Sequence, residues 1–201
     1  MKTPGAGFES DLMNRYNRMT HAAGSLSMRT LGVPAGAIKC FSTTVQTMKN
    51  YIRTAYGNSD SFYGGSEDDL LQGGGQGNPA APPIWCAITI IILRILDMYS
   101  PGVSIIASIS LVAITFSAIM YVDDTDIFIF GRENEKIESV IRRAQDLADR
   151  WTRALWESDG VLRPEKCWWY PIEFVWEGSR WRYEEIENIE GHISVPDHTG
   201  T

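Results

Sequence analysis

A chain of 201 residues that is 44% hydrophobic is long and apolar enough to build one domain, which excludes a disordered protein. Cys40, Cys86 and Cys167 stand far apart with no CxxC pair, which excludes a disulfide framework or a cysteine zinc site and fits a reducing compartment. The formal net charge is −7, spread as +5 over residues 1–55, −7 over 56–130 and −5 over 131–201. That balance argues against a self-sufficient nucleic-acid binder, and the acidic centre suits a cation better than a phosphate.

In chain order, the opening MKTPGAGFESDLMNRYNRM has no apolar run of the secretory kind. Leu12, Tyr16, Met19, Ala23 and Leu26 recur at helical spacing, predicting a helix over 12–31 that Gly32 and Pro34 close. Ile38, Phe41, Val45, Met48 and Ile52 predict a second amphipathic helix over 35–55. Residues 56–83 are rich in Gly, Asn, Asp and Pro and read as loop. An apolar run from Ile84 to Met98 predicts a buried helix, ended by the turn Ser100-Pro101-Gly102.

Residues 103–122 read as one or two buried strands and 125–130 as another, so Asp123 and Asp124 fall at a tight hairpin tip. Residues 134–156 form an amphipathic helix with Ile137, Val140, Ile141, Ala144, Leu147, Ala148, Trp151 and Leu155 on one face, stopped by Ser158-Asp159-Gly160. CWWYPIEFVWEGSRWRYEEI (167–186) reads as an aromatic hairpin turning near Gly178. Residues 187–201 read as a polar, disordered tail, in which His192 and His198 are solvated. The pattern is α+β: a small antiparallel sheet with helices packed on one face.

Two adjacent carboxylates at a hairpin tip repel unless something positive joins them. Hard cations such as Mg²⁺ take oxygen ligands, often one or two protein carboxylates completed by water and substrate phosphates. The competing reading is an ordinary polar β-turn, since Asp favours turns.

The segment YVDD (121–124), between apolar strands, resembles the catalytic motif of reverse transcriptases. GGGQGNPAAPPIW (73–85) resembles the family's Gln-Gly loop, matching at Gln76 and Gly77. GVLRPEKCWWY (160–170) resembles its Gly-x-x-Leu-x-x-x-Lys motif, matching at Lys166. DLMNRYNRM (11–19) resembles its first carboxylate motif, matching at Asp11, with Asn17 where many members carry a second acid. The four motifs come in the family's order over residues 11–170, and their wording is closest to retrotransposon reading frames.

The resemblance implies a partial palm domain over residues 1–186, with the fingers and thumb largely missing. It implies that Asp11, Asp123 and Asp124 hold two Mg²⁺ ions (Mn²⁺ in their place) for nucleotidyl transfer, with Asp126 outside the site. Gln76 and Gly77 would lie against the nascent base pair, Tyr121 near the primer end, and Lys166 beside the leaving pyrophosphate. Trp168, Trp169, Trp176 and Trp181 would either grip the primer or form an aromatic core. The implied partners are an RNA template, a DNA primer, deoxynucleoside triphosphates and separate fingers or thumb segments. The implied location is the cytoplasm or nucleus.

Three other readings compete. One is a folded relic or binding module without catalysis. Another is a membrane protein spanning at residues 98–122, which are 25 residues without a charge, where a span needs ~20 apolar ones. The last is a two-metal nuclease, for which the usual extra His or Glu ligands are lacking.

Overall fold

The structure, a computed structural model, describes residues 3–13, 15–65, 73–75, 77–100 and 102–196. Gln76, Pro101 and His198 lie outside them. In chain order the elements are β1 (Gly5–Asp11), a one-turn α1 (Arg15–Arg18), α2 (His21–Thr30), α3 (Ala35–Thr47), a minimal hairpin of β2 (Arg53–Thr54) and β3 (Gly57–Asn58), and α4 (Ala81–Tyr99). There follow β4 (Val103–Ile106), β5 (Ala113–Phe116), β6 (Ala118–Tyr121), β7 (Asp124–Phe130), α5 (Ile137–Glu157), β8 (Trp168–Ile172), β9 (Phe174–Glu177) and β10 (Arg180–Tyr183). The chain divides into two compact units, Asn14–Thr89 and Met1–Met13 with Ile90–Thr201.

The second of these is built on a four-stranded antiparallel sheet in the order β6-β7-β1-β8. Alternation along a strand sends successive side chains to opposite faces. Ala6, Phe8 and Ser10 of β1 and Thr125, Ile127 and Ile129 of β7 are therefore buried on one face. The apolar stripe of α5 covers that face, and every residue predicted for the stripe is buried. At its centre Trp151 is fully buried, and its Nε1–H donates to Ser10 Oγ at 3.1 Å. Ser10 Oγ in turn donates to the Thr125 carbonyl at 3.4 Å.

The expected α+β class, with a helix on one face of a small antiparallel sheet, is what the chain forms. Its central strand β1 had no place in the sequence reading. Two glycines in GAGFESD weaken any strand signal, and the reason for Gly7 is tertiary. The Tyr170 ring lies over it, so a Cβ at Gly7 would come within 2.2 Å of that ring.

The predicted helix over 12–31 starts late and breaks. Leu12 bridges Leu162 instead, and Thr20 stops the first turn to become the N-cap of α2, its hydroxyl accepting from Ala23 N at 3.2 Å. The helix predicted over 35–55 ends at Thr47, because Met48 is extended. Residues 103–122 hold three strands, so they do not form one spanning helix. Their β-branched residues suit strands. Nor are β4 and β5 buried: they pair only with each other among the described residues, and Ile105, Ile106 and Ile114 are exposed.

Among the described residues, α4 is the one helix long and apolar enough to cross a membrane, with mean hydropathy 1.7 and 44% of it buried. A buried core helix passes the same test of length and composition. The tail expected to be disordered is held as far as Ser194: Ile193 is buried, and Ser194 exchanges two hydrogen bonds with the Gln145 side chain.

Candidate functional site

The β6–β7 hairpin closes on the pair Tyr121↔Asp124, which leaves Val122 and Asp123 as a two-residue turn. Val122 has φ +63°, as the first central residue of a type II′ turn does. Glycine is the usual occupant, and a β-branched residue there is strained. The tight tip expected around the Asp pair is present, with Asp123 in the turn and Asp124 opening β7.

Asp124 lies directly opposite Asp11, the last residue of β1. Opposed residues of an antiparallel pair have Cα atoms ~4.5–5.5 Å apart and side chains on the same face. The next pair on that face, two residues along, is Glu9↔Asp126. The face of the sheet away from α5 thus carries four carboxylates in two stacked cross-strand pairs. Like charges directly opposite each other destabilise a sheet, so the arrangement calls for positive charge.

Lys166 supplies some. Beyond Asp11 the chain zips onto residues 161–163: Arg163 N donates to the Asp11 carbonyl at 3.0 Å and Met13 N to the Val161 carbonyl at 2.8 Å. A single 3₁₀ turn, Pro164–Lys166, then brings Lys166 back. Its Nζ donates to Asp11 Oδ2 at 3.0 Å, with Lys166 half-exposed and the Asp11 carboxylate more sheltered. Burial pushes the Cys167 thiol up, and the charges of Asp11 and Glu165 add to that. Burial, then the charges of Asp126 and Glu9, raises the Tyr170 phenol.

Of the residues singled out in the sequence, Asp11, Asp124 and Lys166 come together, with Asp123 next in the turn and Tyr121 exposed beside Asp124 in the pairing register. Among the described residues, no group of three or more His, Cys, Asp or Glu side chains is arranged to hold a metal ion. Glu9 escaped the sequence reading. The available signal was the matching one-residue spacing of acids in Glu9-x-Asp11 and Asp124-x-Asp126. Trp176 and Trp181 pack edge to face at 5.3 Å across β9–β10, yet both remain exposed.

In the Asn14–Thr89 unit, the described glycines of the Gly-rich loop wrap residues 16–21. Gly74 N donates to the Tyr16 carbonyl at 2.6 Å and His21 Nε2 meets the Gly73 carbonyl at 2.7 Å. A Cβ at Gly73 would sit 2.5 Å from the Tyr16 carbonyl oxygen, so only glycine fits. Asn78 Oδ1 then accepts from Ala80 N at 3.0 Å just before α4 begins. The loop does open a helix, as expected; Gly77 takes φ +87° within it, and Gln76 lies outside the described residues.

Two solved structures share this architecture. Apo telomerase from Candida tropicalis, truncated from the C-terminal domain, superposes with a TM-score of 0.53 at 12% identity, over 85% of this chain and 31% of that one. Telomerase from Candida tropicalis in complex with the TWJ fragment of telomeric RNA gives 0.55 at 11% identity, over 84% and 26%. The fold is polymerase-like. The chain spans less than a third of either telomerase chain. No family model and no curated protein sequence matches it.

Proposed function

We propose that this chain is a partial palm, an incomplete fragment of a reverse transcriptase of retrotransposon type whose chemistry is RNA-directed nucleotidyl transfer inside the cell, in the cytoplasm or nucleus, and which needs further segments to act. One observation carries the reading: Asp11 and Asp124 face each other across β1 and β7, beside a tight turn that holds Asp123. The polymerase-like fold supports it. The residues fit a divalent cation in part. A cross-strand carboxylate pair supplies the one or two protein ligands that Mg²⁺ takes, with Asp123 adjacent, although the three do not form a ready cage. Asp11, Asp123 and Asp124 would hold Mg²⁺ or Mn²⁺, which when bound supplies Lewis acidity at the transferred phosphate.

The protein's own groups then do the following. Asp11 and Asp124 concentrate negative charge on one open face, so that a cation is drawn there. Lys166 neutralises Asp11 through a half-exposed ion pair, which is worth little and yields to a stronger cation. Once released, Lys166 Nζ is a proton-bearing group beside the phosphates. Tyr121, exposed next to Asp124, borders the space for a primer end. Gly77, with Gln76, would contact the nascent base pair. The RNA template, DNA primer and deoxynucleoside triphosphates are held with basic fingers and thumb segments, on the same or a separate polypeptide. Primer extension on an RNA template in Mg²⁺ or Mn²⁺, with reverse-transcriptase fingers and thumb segments added in trans and the Asp124→Asn variant alongside, tests this. Extension that needs both the added segments and the unaltered chain, and none with the variant, is expected; equal signals from the two chains overturn it.

A second reading, a folded relic without catalysis, is favoured by the Lys166–Asp11 pair, which satisfies that carboxylate without a metal. A Mg²⁺ titration with no saturable site would select it.

A further inference from the structure

The short connection between α2 (His21–Thr30) and α3 (Ala35–Thr47) folds the two helices into an antiparallel pair. Ser25 Oγ meets Ser42 Oγ at 3.5 Å, and one turn back along α2 His21 meets Gln46. The start of α2 and the end of α3 thus come together. The His21 ring stands there, part-buried, between Gln46 and the Gly-rich loop.

The two ring nitrogens have separate tasks. Nε2 lies 2.7 Å from the Gly73 carbonyl oxygen, which can only accept, so Nε2 carries the hydrogen. Nδ1 is then a lone pair in the neutral ring, and the amide nitrogen of Gln46, which can only donate, faces it at 3.3 Å. One tautomer satisfies both contacts. The next loop groups are tied as well: Gly74 N donates to the Tyr16 carbonyl at 2.6 Å, and Asn78 Nδ2 donates to the Gly74 carbonyl at 2.8 Å. The root is also tightly enclosed, since a Cβ at Gly74 would come within 2.4 Å of Met19 Cε and 2.8 Å of Ala81 Cβ. The tip differs: a Cβ at Gly77 would meet nothing within 4 Å. Of these ties, the one from His21 is made by a side chain reaching the loop from another element.

We propose that His21 is a positioning residue. Through Nε2–H it clasps the root of the Gly-rich loop, while Gln46 holds the ring in the tautomer that can donate. The clasp stands on this geometry; its use rests on the palm reading, in which the loop contacts the nascent base pair. Fixing the root at Gly73 limits where the open tip at Gly77 can lie. Its loss should therefore weaken the hold on the incoming nucleotide and leave the chemical step intact.

Hydrogen exchange at the Gly74 amide of the full chain tests the clasp without catalysis. His21→Leu should speed it about two- to tenfold, the worth of one hydrogen bond. His21→Gln should restore it, because a glutamine amide can donate from much the same place as Nε2. Ring nitrogen shifts of the unaltered protein need no loss of the histidine: in the neutral ring Nε2 should carry the hydrogen, and Gln46→Leu should mix the tautomers. In primer extension with added fingers and thumb segments, His21→Leu should raise KM for the deoxynucleoside triphosphate about two- to tenfold, with kcat kept and His21→Gln restoring KM. Unchanged exchange in His21→Leu, a bare Nε2, or no restoration by His21→Gln would each overturn the clasp. A loosened loop with unchanged KM would overturn the positioning role. Extension absent from every protein would overturn the palm reading, while exchange and ring shifts still decide the clasp.

Discussion

The ammonium of Lys166 lies 3.0 Å from Oδ2 of Asp11, joining residues 155 apart in sequence. The contact depends on the bridge Leu12↔Leu162 and the 3₁₀ turn after it, so the lysine is delivered by backbone pairing and not by a chance side-chain reach. Exposed ion pairs of this kind contribute ~0–1 kcal/mol. Lys166→Ala should leave the melting temperature almost unchanged. It should tighten Mg²⁺ binding by up to about fivefold, the equivalent of ~1 kcal/mol, because a competitor for Asp11 is gone, while slowing nucleotide incorporation. Calorimetric titration and single-turnover extension read the two effects separately.

Asp124 and Asp126 are alike in residue type, strand and face, yet only Asp124 opposes Asp11. Asp124→Asn removes a like-charge cross-strand pair, so it should raise stability by a few tenths of a kcal/mol, ~0.2–1 kcal/mol at most, and abolish Mg²⁺-dependent incorporation. Asp126→Asn should gain similarly in stability and keep incorporation. Urea unfolding and primer extension on both variants check the contrast.

Val122 occupies a positive-φ turn position with a branched side chain. A left-handed conformation costs a non-glycine residue ~1–2 kcal/mol, against the ~0.5–1 kcal/mol of extra chain entropy that glycine loses. Val122→Gly should therefore stabilise the protein by about 0.5–1 kcal/mol, measured by the denaturation midpoint.

Glu135 accepts from Arg132 N at 2.8 Å, from Ser139 Oγ at 2.9 Å and from Arg143 at 2.9 Å. The backbone N–H of Arg132 is the main cause holding its carboxyl below the ordinary range, with burial opposing and Ser139 and Arg143 assisting. A carboxyl lowered by folding contributes stability that is full above its unfolded pKa and is lost as pH falls through its folded pKa. Glu135→Gln should thus be less stable than the unaltered protein at neutral pH, and the gap should close on acidification below the usual carboxylate range. Stability curves of the two proteins against pH read it.

Much of this was legible in the sequence where one local pattern decided the outcome. The α5 stripe from Ile137 to Leu155 is buried as its spacing predicts, and the Asp pair sits at a hairpin tip between apolar strands. What escaped depends on distant partners. β1 looks unlike a strand until Tyr170 is seen lying over Gly7. The break at Thr20 needed the choice between helix continuation and capping, which propensity leaves nearly even. The exposure of β4 and β5 ran against their composition, because apolar character marks a surface to be covered without saying by what. Glu9 joined the carboxylate face only through the register of β1 against β7.

The role proposed for the Asp11–Asp124 pair is to hold a divalent cation. Crystals soaked in Mn²⁺ and measured for anomalous scattering test it directly. A peak bonded to oxygens of both Asp11 and Asp124 is expected, with Lys166 moved off Asp11. Crystals with no peak there, and with the Lys166–Asp11 pair intact in saturating Mn²⁺, would contradict it.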